Sequence, residues 1–325
     1  MRTVGRREVG GALLGTLILA VVLSVLVAVG LRTGHLGRPA DPVPTESPVA
    51  QPSPPSPTTP PESSPTPEPT LTVIPPDPAL AAAFAEQSAA RGGVYALVWV
   101  DGDGLHALGL APDDTAWSTI KVPLAIAALE RAATTGAAVT RDVEAAITRS
   151  DNPAAARLWT SLGPTRDAAG AVDEVLTAYD SVGTRTEDET VRPPFSAYGQ
   201  TRWSVTDQAR FAAALSCADP DSAAAQVRAA MGRVTPEHRW GIGQLDSAHL
   251  KGGWGPDVSG AYLLRQLGDV TVDGRTYALA ASAQSGTGSY ARGAADLTAL
   301  VQWWADEVAP DAPGLSCPGS GPGSG

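Results

Sequence analysis

The chain has 325 residues, 43% of them hydrophobic and 18% charged, which is enough to bury one sizeable core. A formal net charge of -11 and a pI near 4.8 leave no basic surface for neutralising phosphates, so nucleic acid is excluded as a partner. The four histidines are scattered and the two cysteines, Cys217 and Cys317, lie far apart, so no spacing suits a metal centre and no cofactor is implied.

Residues 1–9 carry Arg2, Arg6 and Arg7, and the uncharged apolar run 10–31 that follows is long enough to cross a bilayer as one helix. The arginines ahead of it predict a cytoplasmic N-terminus and an extracytoplasmic body, a single-pass plasma-membrane arrangement, although Arg32 and Arg38 weaken the asymmetry. The run exceeds a usual signal core and no small-residue cleavage site follows it, which favours an uncleaved anchor in the lipid bilayer. Residues 32–77 are dominated by Pro, Ser, Thr and Glu and predict a disordered linker. At about 3.1 Å per residue in polyproline form, such a stalk reaches up to ~100 Å, enough for a cell-wall target. The folded domain is expected over 78–310, and the Pro-Gly-Ser tail 311–325 is expected to be disordered.

Within the domain, the first helix is expected from Ala79 to Ala90. Two alternating runs, Val94 to Val100 and Leu105 to Leu110, then flank Asp101-Gly102-Asp103-Gly104 and read as a hairpin, with Asp-Gly as its turn rather than a calcium loop. Ala-rich helical segments follow at Val122 to Ala133, Asp142 to Ser150, Ala154 to Leu162, Val205 to Leu215 and Asp221 to Met231. A second hairpin turns at Asp273-Gly274, between the apolar runs that begin at Ala261 and Tyr277, and Ala291 to Val308 closes the domain as an amphipathic helix. Strands at both ends around a helical middle predict an α+β fold, an antiparallel sheet flanked by a helical domain.

Residue usage marks where chemistry lies. The 23 basic residues include only two lysines, Lys121 and Lys251, and the only asparagine is Asn152. Burial tunes an amine to act as a base, whereas a guanidinium keeps its proton, so arginine does not replace a catalytic lysine. Ser118-Thr119-Ile120-Lys121 sits where the first hairpin gives way to a helix, so Ser118 and Lys121 at i and i+3 share one face of the opening turn. There the helix dipole favours a developing alkoxide, and a desolvated amine can take its proton. Ser150-Asp151-Asn152 lies between two helical runs, and Lys251-Gly252-Gly253 heads a strand.

Ser118-x-x-Lys121, Ser150-Asp151-Asn152 and Lys251-Gly252-Gly253, in this order, resemble the penicillin-recognising serine enzymes: class A β-lactamases and the D,D-peptidases and transpeptidases that share their fold. The resemblance covers roughly Pro78 to Pro310. It implies Ser118 as acylated nucleophile, Lys121 as its base, Ser150 as proton relay to the leaving nitrogen, Asn152 as a substrate amide contact and Lys251 as electrostatic support. Gly253 and Trp254 would border the substrate, and the backbone N–H groups of Ser118 and Trp254 would form the oxyanion hole. The implied substrate is a β-lactam or a peptidoglycan-peptide-like amide.

Three departures are visible. Gly252 stands where the family carries Thr or Ser, removing a hydroxyl that would contact a substrate carboxylate. The stretch from Ser118 to Ser150 is shorter than usual. The family's deacylating E-x-x-L-N pattern is missing, leaving Glu187 and Glu189 as the only acidic candidates, against the plain reading of a solvated cluster. Three functions therefore stay open: a β-lactamase-like serine hydrolase, a peptidoglycan D,D-peptidase or transpeptidase, and a wall-binding module without turnover. Outside the cytoplasm a lone cysteine pair is expected to be bonded, so Cys217 and Cys317 predict a disulfide.

Overall fold

The computed structural model describes residues 71–317. The expected membrane span at 10–31 and most of the Pro-rich linker lie outside the described residues; among those described, no helix is long and apolar enough to cross a membrane.

Six strands form one sheet in the order β1-β3-β2-β6-β5-β4, comprising β1 (Val73–Ile74), β2 (Val94–Val100), β3 (Leu105–Gly109), β4 (His249–Pro256), β5 (Tyr262–Val272) and β6 (Arg275–Gln284). Every pairing is antiparallel except the short β1 to β3 contact. Alternation along β2 explains how the layers form: Tyr95, Leu97 and Trp99 join one core cluster, and Ala96, Val98 and Val100 join another. The first cluster packs helices α1 (Pro78–Arg91) and α8 (Tyr290–Glu307) on one face. The second packs the helical layer α2 (Lys121–Thr135), α3 (Thr140–Thr148), α4 (Asn152–Ser161), α5 (Thr165–Ala178), α6 (Val205–Ser216) and α7 (Ala223–Met231) on the other.

Local chemistry sets the boundaries. Asp77 caps α1 by accepting from the N–H groups of Ala79 and Leu80 at 2.9 Å, and Gly92 ends it in the left-handed region. Asp151 caps α4 through the N–H of Ala154 at 2.6 Å. The Asp101 carboxylate accepts from the N–H groups of Asp103 and Gly104 and from the Trp99 indole, holding the first hairpin turn. Helix α5, absent from the sequence reading, buries Ala168, Val172, Val175 and Leu176 despite Gly170 in its middle; tertiary packing overrides its mixed composition.

The folded domain is wider than 78–310. Strand β1 precedes Pro78, and beyond Pro310 the chain packs back on the sheet, with the Leu315 N–H donating to Thr276 O at 2.7 Å and Arg275 binding the carbonyls of Pro310 and Ala312. Cys217 and Cys317 are disulfide-bonded, with Cα atoms 5.4 Å apart across a sequence separation of 100. This ties the C-terminal segment to the end of α6. Closing a loop of that size stabilises by at most ~4.7 kcal/mol in the chain-entropy model. Cys317→Ser should lower the denaturant midpoint, and reductant should lower the wild-type midpoint but not that of the variant. Equal midpoints for both proteins in oxidising buffer would contradict a stabilising bridge.

Candidate active site

The turn that carries Ser118 is held from below. A single 3₁₀ turn, Trp117–Ile120, runs straight into α2, with Ser118 partly exposed while Trp117, Thr119 and Ile120 are buried. The Thr119 hydroxyl donates to Ala116 O at 2.5 Å and accepts from the Gln208 amide at 2.9 Å, pinning the turn to α6. Arg265 on β5, wholly buried, donates to Thr115 O at 3.2 Å, while its Nε and second Nη have no partner among the described residues. Burial pushes this guanidinium down to about 10, partly opposed by Asp114 and Asp113. Sequence reasoning missed Arg265 because nothing in the chain distinguishes it from the other arginines.

Strand β4, the free edge of the sheet, closes on this turn because it lacks side chains there. A Cβ on Gly253 would sit 2.7 Å from Ser118 N, and one on Gly255 would collide with the Trp117 ring. Two residues of the site are held in the left-handed region that favours glycine: Trp117, at φ 51°, and Ser150, at φ 54°. Strained backbone of this kind costs on the order of 1–3 kcal/mol and clusters where geometry serves a function.

The structure brings both lysines, Ser150 and Asn152 together. Lys121, 1% exposed, donates to Ser150 O at 2.7 Å, Asn152 Oδ1 at 2.6 Å and Ser150 Oγ at 3.4 Å. Lys251, 2% exposed, donates to Ser150 Oγ at 3.0 Å and Gly252 O at 2.6 Å. The Lys121 amine, expected from the sequence to serve Ser118 as its base, makes no hydrogen bond to the Ser118 hydroxyl. The amine turns instead toward the oxygens at the start of α4, three acceptors that offset its burial better than one hydroxyl would. Burial brings the Lys121 amine down to about 8 against the opposing pull of Asp151. Lys251 falls well below the ordinary lysine range through burial and the neighbouring Lys121 charge. An amine near 8 is unprotonated in about a tenth of molecules at pH 7, whereas an ordinary lysine is almost never so.

Neither acidic candidate is hydrogen-bonded to this cluster. Glu189 is exposed, and Glu187 has its N–H on Thr201 Oγ1 at 3.1 Å and lines a cavity with Trp117, Arg192 and Asp257. That cavity does not include Ser118. Arg192 stacks over Trp117 and Phe195 and donates to Pro256 O, tying the loop that carries both glutamates to the end of β4.

Solved structures show the fold: it is that of class A β-lactamases. A representative class A β-lactamase from Bacteroides cellulosilyticus superposes with a TM-score of 0.57 at 14% identity, covering 70% of this chain and 97% of that one. A β-lactamase from Xanthomonas campestris gives 0.53 at 19% identity, over 69% and 96%. One from Streptosporangium roseum gives 0.52 at 17%, over 68% and 97%. No protein-family model and no curated protein sequence matches the chain.

Proposed function

We propose that the chain is a membrane-anchored extracytoplasmic serine hydrolase in which Ser118 is acylated by β-lactams or related amides. The observation that carries this reading is the pair of buried lysine amines that share the Ser150 hydroxyl, one of them, Lys121, three residues beyond the partly exposed Ser118. The unprotonated fraction of Lys121 takes the Ser118 proton, directly or through Ser150, and the alkoxide attacks the carbonyl carbon. The N–H groups of Ser118 and Trp254 stabilise the resulting oxyanion. When the C–N bond breaks, Ser150 gives its proton to the leaving nitrogen and recovers one from Lys121. Lys251, hydrogen-bonded to Ser150 Oγ, gives electrostatic support, and Asn152, its oxygen held by Lys121, presents its amide nitrogen to the substrate. The anchor at 10–31 and the stalk at 32–77 support a position outside the plasma membrane and within reach of the wall.

A second reading, a peptidoglycan D,D-peptidase or transpeptidase, is favoured by the exposure of Glu189 and by Glu187 making no hydrogen bond to the lysine cluster. Both readings share the acylation step. Incubation with benzylpenicillin should add its full mass to the intact protein, with the adduct on the peptide that carries Ser118, and Ser118→Ala should show no adduct. No adduct on the wild type would leave only a wall-binding module.

A further inference from the structure

The residue before Ser118 is held from the side as well. Trp117 stands at φ 51°, and its ring fills the place where Gly255 on β4 would carry a side chain. The buried Trp117 indole N–H has no hydrogen-bond partner among the described residues, so contacts to the ring position it. The Phe195 ring meets it edge-on at 5.0 Å. The Arg192 guanidinium lies over it, 5.6 Å from its centroid and 4.8 Å from that of Phe195. The same guanidinium donates through Nη2 to Pro256 O, at the end of β4.

Arg192 therefore touches two chain segments at once. One is the residue immediately ahead of Ser118, and the other lies two residues beyond Trp254. These segments approach closely, since a Cβ on Gly253 would sit 2.7 Å from Ser118 N and 2.8 Å from Thr119 N. Among the described residues, no backbone hydrogen bond joins Trp117–Ile120 to β4, so side chains set the gap between them. Arginine suits this double contact: its planar guanidinium stacks on an aromatic ring while donating in its own plane, which the point charge of lysine does not reproduce. The loop around it is turned outward, with Glu189, Val191, Pro193 and Pro194 exposed.

We infer that Arg192 is a positioning residue for the oxyanion hole: by holding Trp117 and Pro256 together, it sets the gap between the Ser118 and Trp254 N–H groups. This rests on Ser118 being the acylated nucleophile and on those two N–H groups receiving the oxyanion. Such a hole works because its donors already stand where negative charge develops, so a loosened gap weakens the transition state more than the bound substrate. Removing one donor outright costs about 10²–10³-fold, and loosening both while removing neither costs less.

The test replaces Arg192 in the full-length protein. Arg192→Met keeps an apolar stem against Trp117 and removes the donor to Pro256 O, Arg192→Lys keeps the charge, and Val191→Ala on the exposed neighbour is the control. Each is acylated with benzylpenicillin isotope-labelled at its β-lactam carbonyl carbon. The second-order acylation constant is read by intact mass, and the stretching frequency of the acyl-enzyme ester carbonyl by infrared difference spectroscopy. Arg192→Met should acylate about 10- to 100-fold more slowly than the wild type. Its ester carbonyl should absorb at higher frequency, since weaker hydrogen bonds leave the C=O bond stiffer, while the rise of acylation with pH is kept because the Lys121 base is untouched. Arg192→Lys should show the same two changes in smaller measure, and Val191→Ala neither. Wild-type acylation and an unshifted carbonyl in Arg192→Met would overturn the inference while leaving Ser118 as nucleophile. Slower acylation with an unshifted carbonyl would also overturn it, placing the effect of Arg192 outside the oxyanion hole. Wild-type behaviour of Arg192→Lys in both readouts would show that charge suffices and overturn the double contact. No adduct on the wild type would overturn the nucleophile and this inference together.

Discussion

Lys121→Arg should slow acylation of Ser118 by about 10²–10⁴-fold, the usual contribution of one general base. The substitution keeps the positive charge and nearly the reach, but a guanidinium does not release its proton at any physiological pH. The wild-type amine does, because burial has brought it down to about 8. The sign of the pH dependence follows from which form is active. The unprotonated amine is the base, so wild-type acylation should rise about tenfold per pH unit below 8 and level off above it. Lys121→Arg should lose this limb altogether, which separates loss of the base from general damage to the site. Acylation rates read by intact mass from pH 5 to 9, with a thermal melt to confirm folding, make the measurement. Wild-type-like acylation by the variant would remove Lys121 from the mechanism.

The acyl-enzyme should be long-lived. Deacylation needs a base that aims water at the ester, and one such group is worth about 10²–10⁴-fold. Glu189 is exposed, and Glu187 lines a cavity bounded by Trp117 rather than Ser118. Release should therefore be slower by that factor than in an enzyme with a positioned carboxylate, giving a burst of one equivalent of nitrocefin and then a slow steady state. The double variant Glu187→Ala, Glu189→Ala should change the slow phase by no more than about twofold, the ordinary range of surface substitutions. Rapid steady turnover that collapses in the double variant would show that the loop swings a glutamate onto the acyl group, and would return the protein to the efficient β-lactamases.

Much of the scaffold was legible in the residues. Asp101-Gly102 and Asp273-Gly274 turns flanked by apolar runs predicted both hairpins, and they form as expected, because a tight turn and period-two alternation are local properties. The Ala-rich helices likewise fall close to their expected bounds. The limits of the domain were less legible. Strand β1 has two residues, too few for any periodicity to show, and the chain from Pro310 to Cys317 is composed like a tail yet is fastened by backbone bonds and a disulfide. Helix α5 lacked a clear signal because its stability comes from the layer it packs into.

The same division runs through the site. The sequence by itself determined which groups are chemically able to act: a serine three residues ahead of one of only two lysines, the second lysine on the edge strand, and the single asparagine beside Ser150. The tertiary structure decided what those groups are. Both lysines are withdrawn from water by residues far away in the chain, and that desolvation brings the Lys121 amine down to about 8 and takes Lys251 well below the ordinary lysine range. The folded chain also turned Lys121 toward Ser150 and Asn152 rather than Ser118, placed Arg265 against the turn that carries Ser118, and set Trp240 and Trp254 beside Gly252. Burial and orientation are sums over contacts distant in sequence, so motif spacing carries the identity of a catalytic group but not its protonation or its partners.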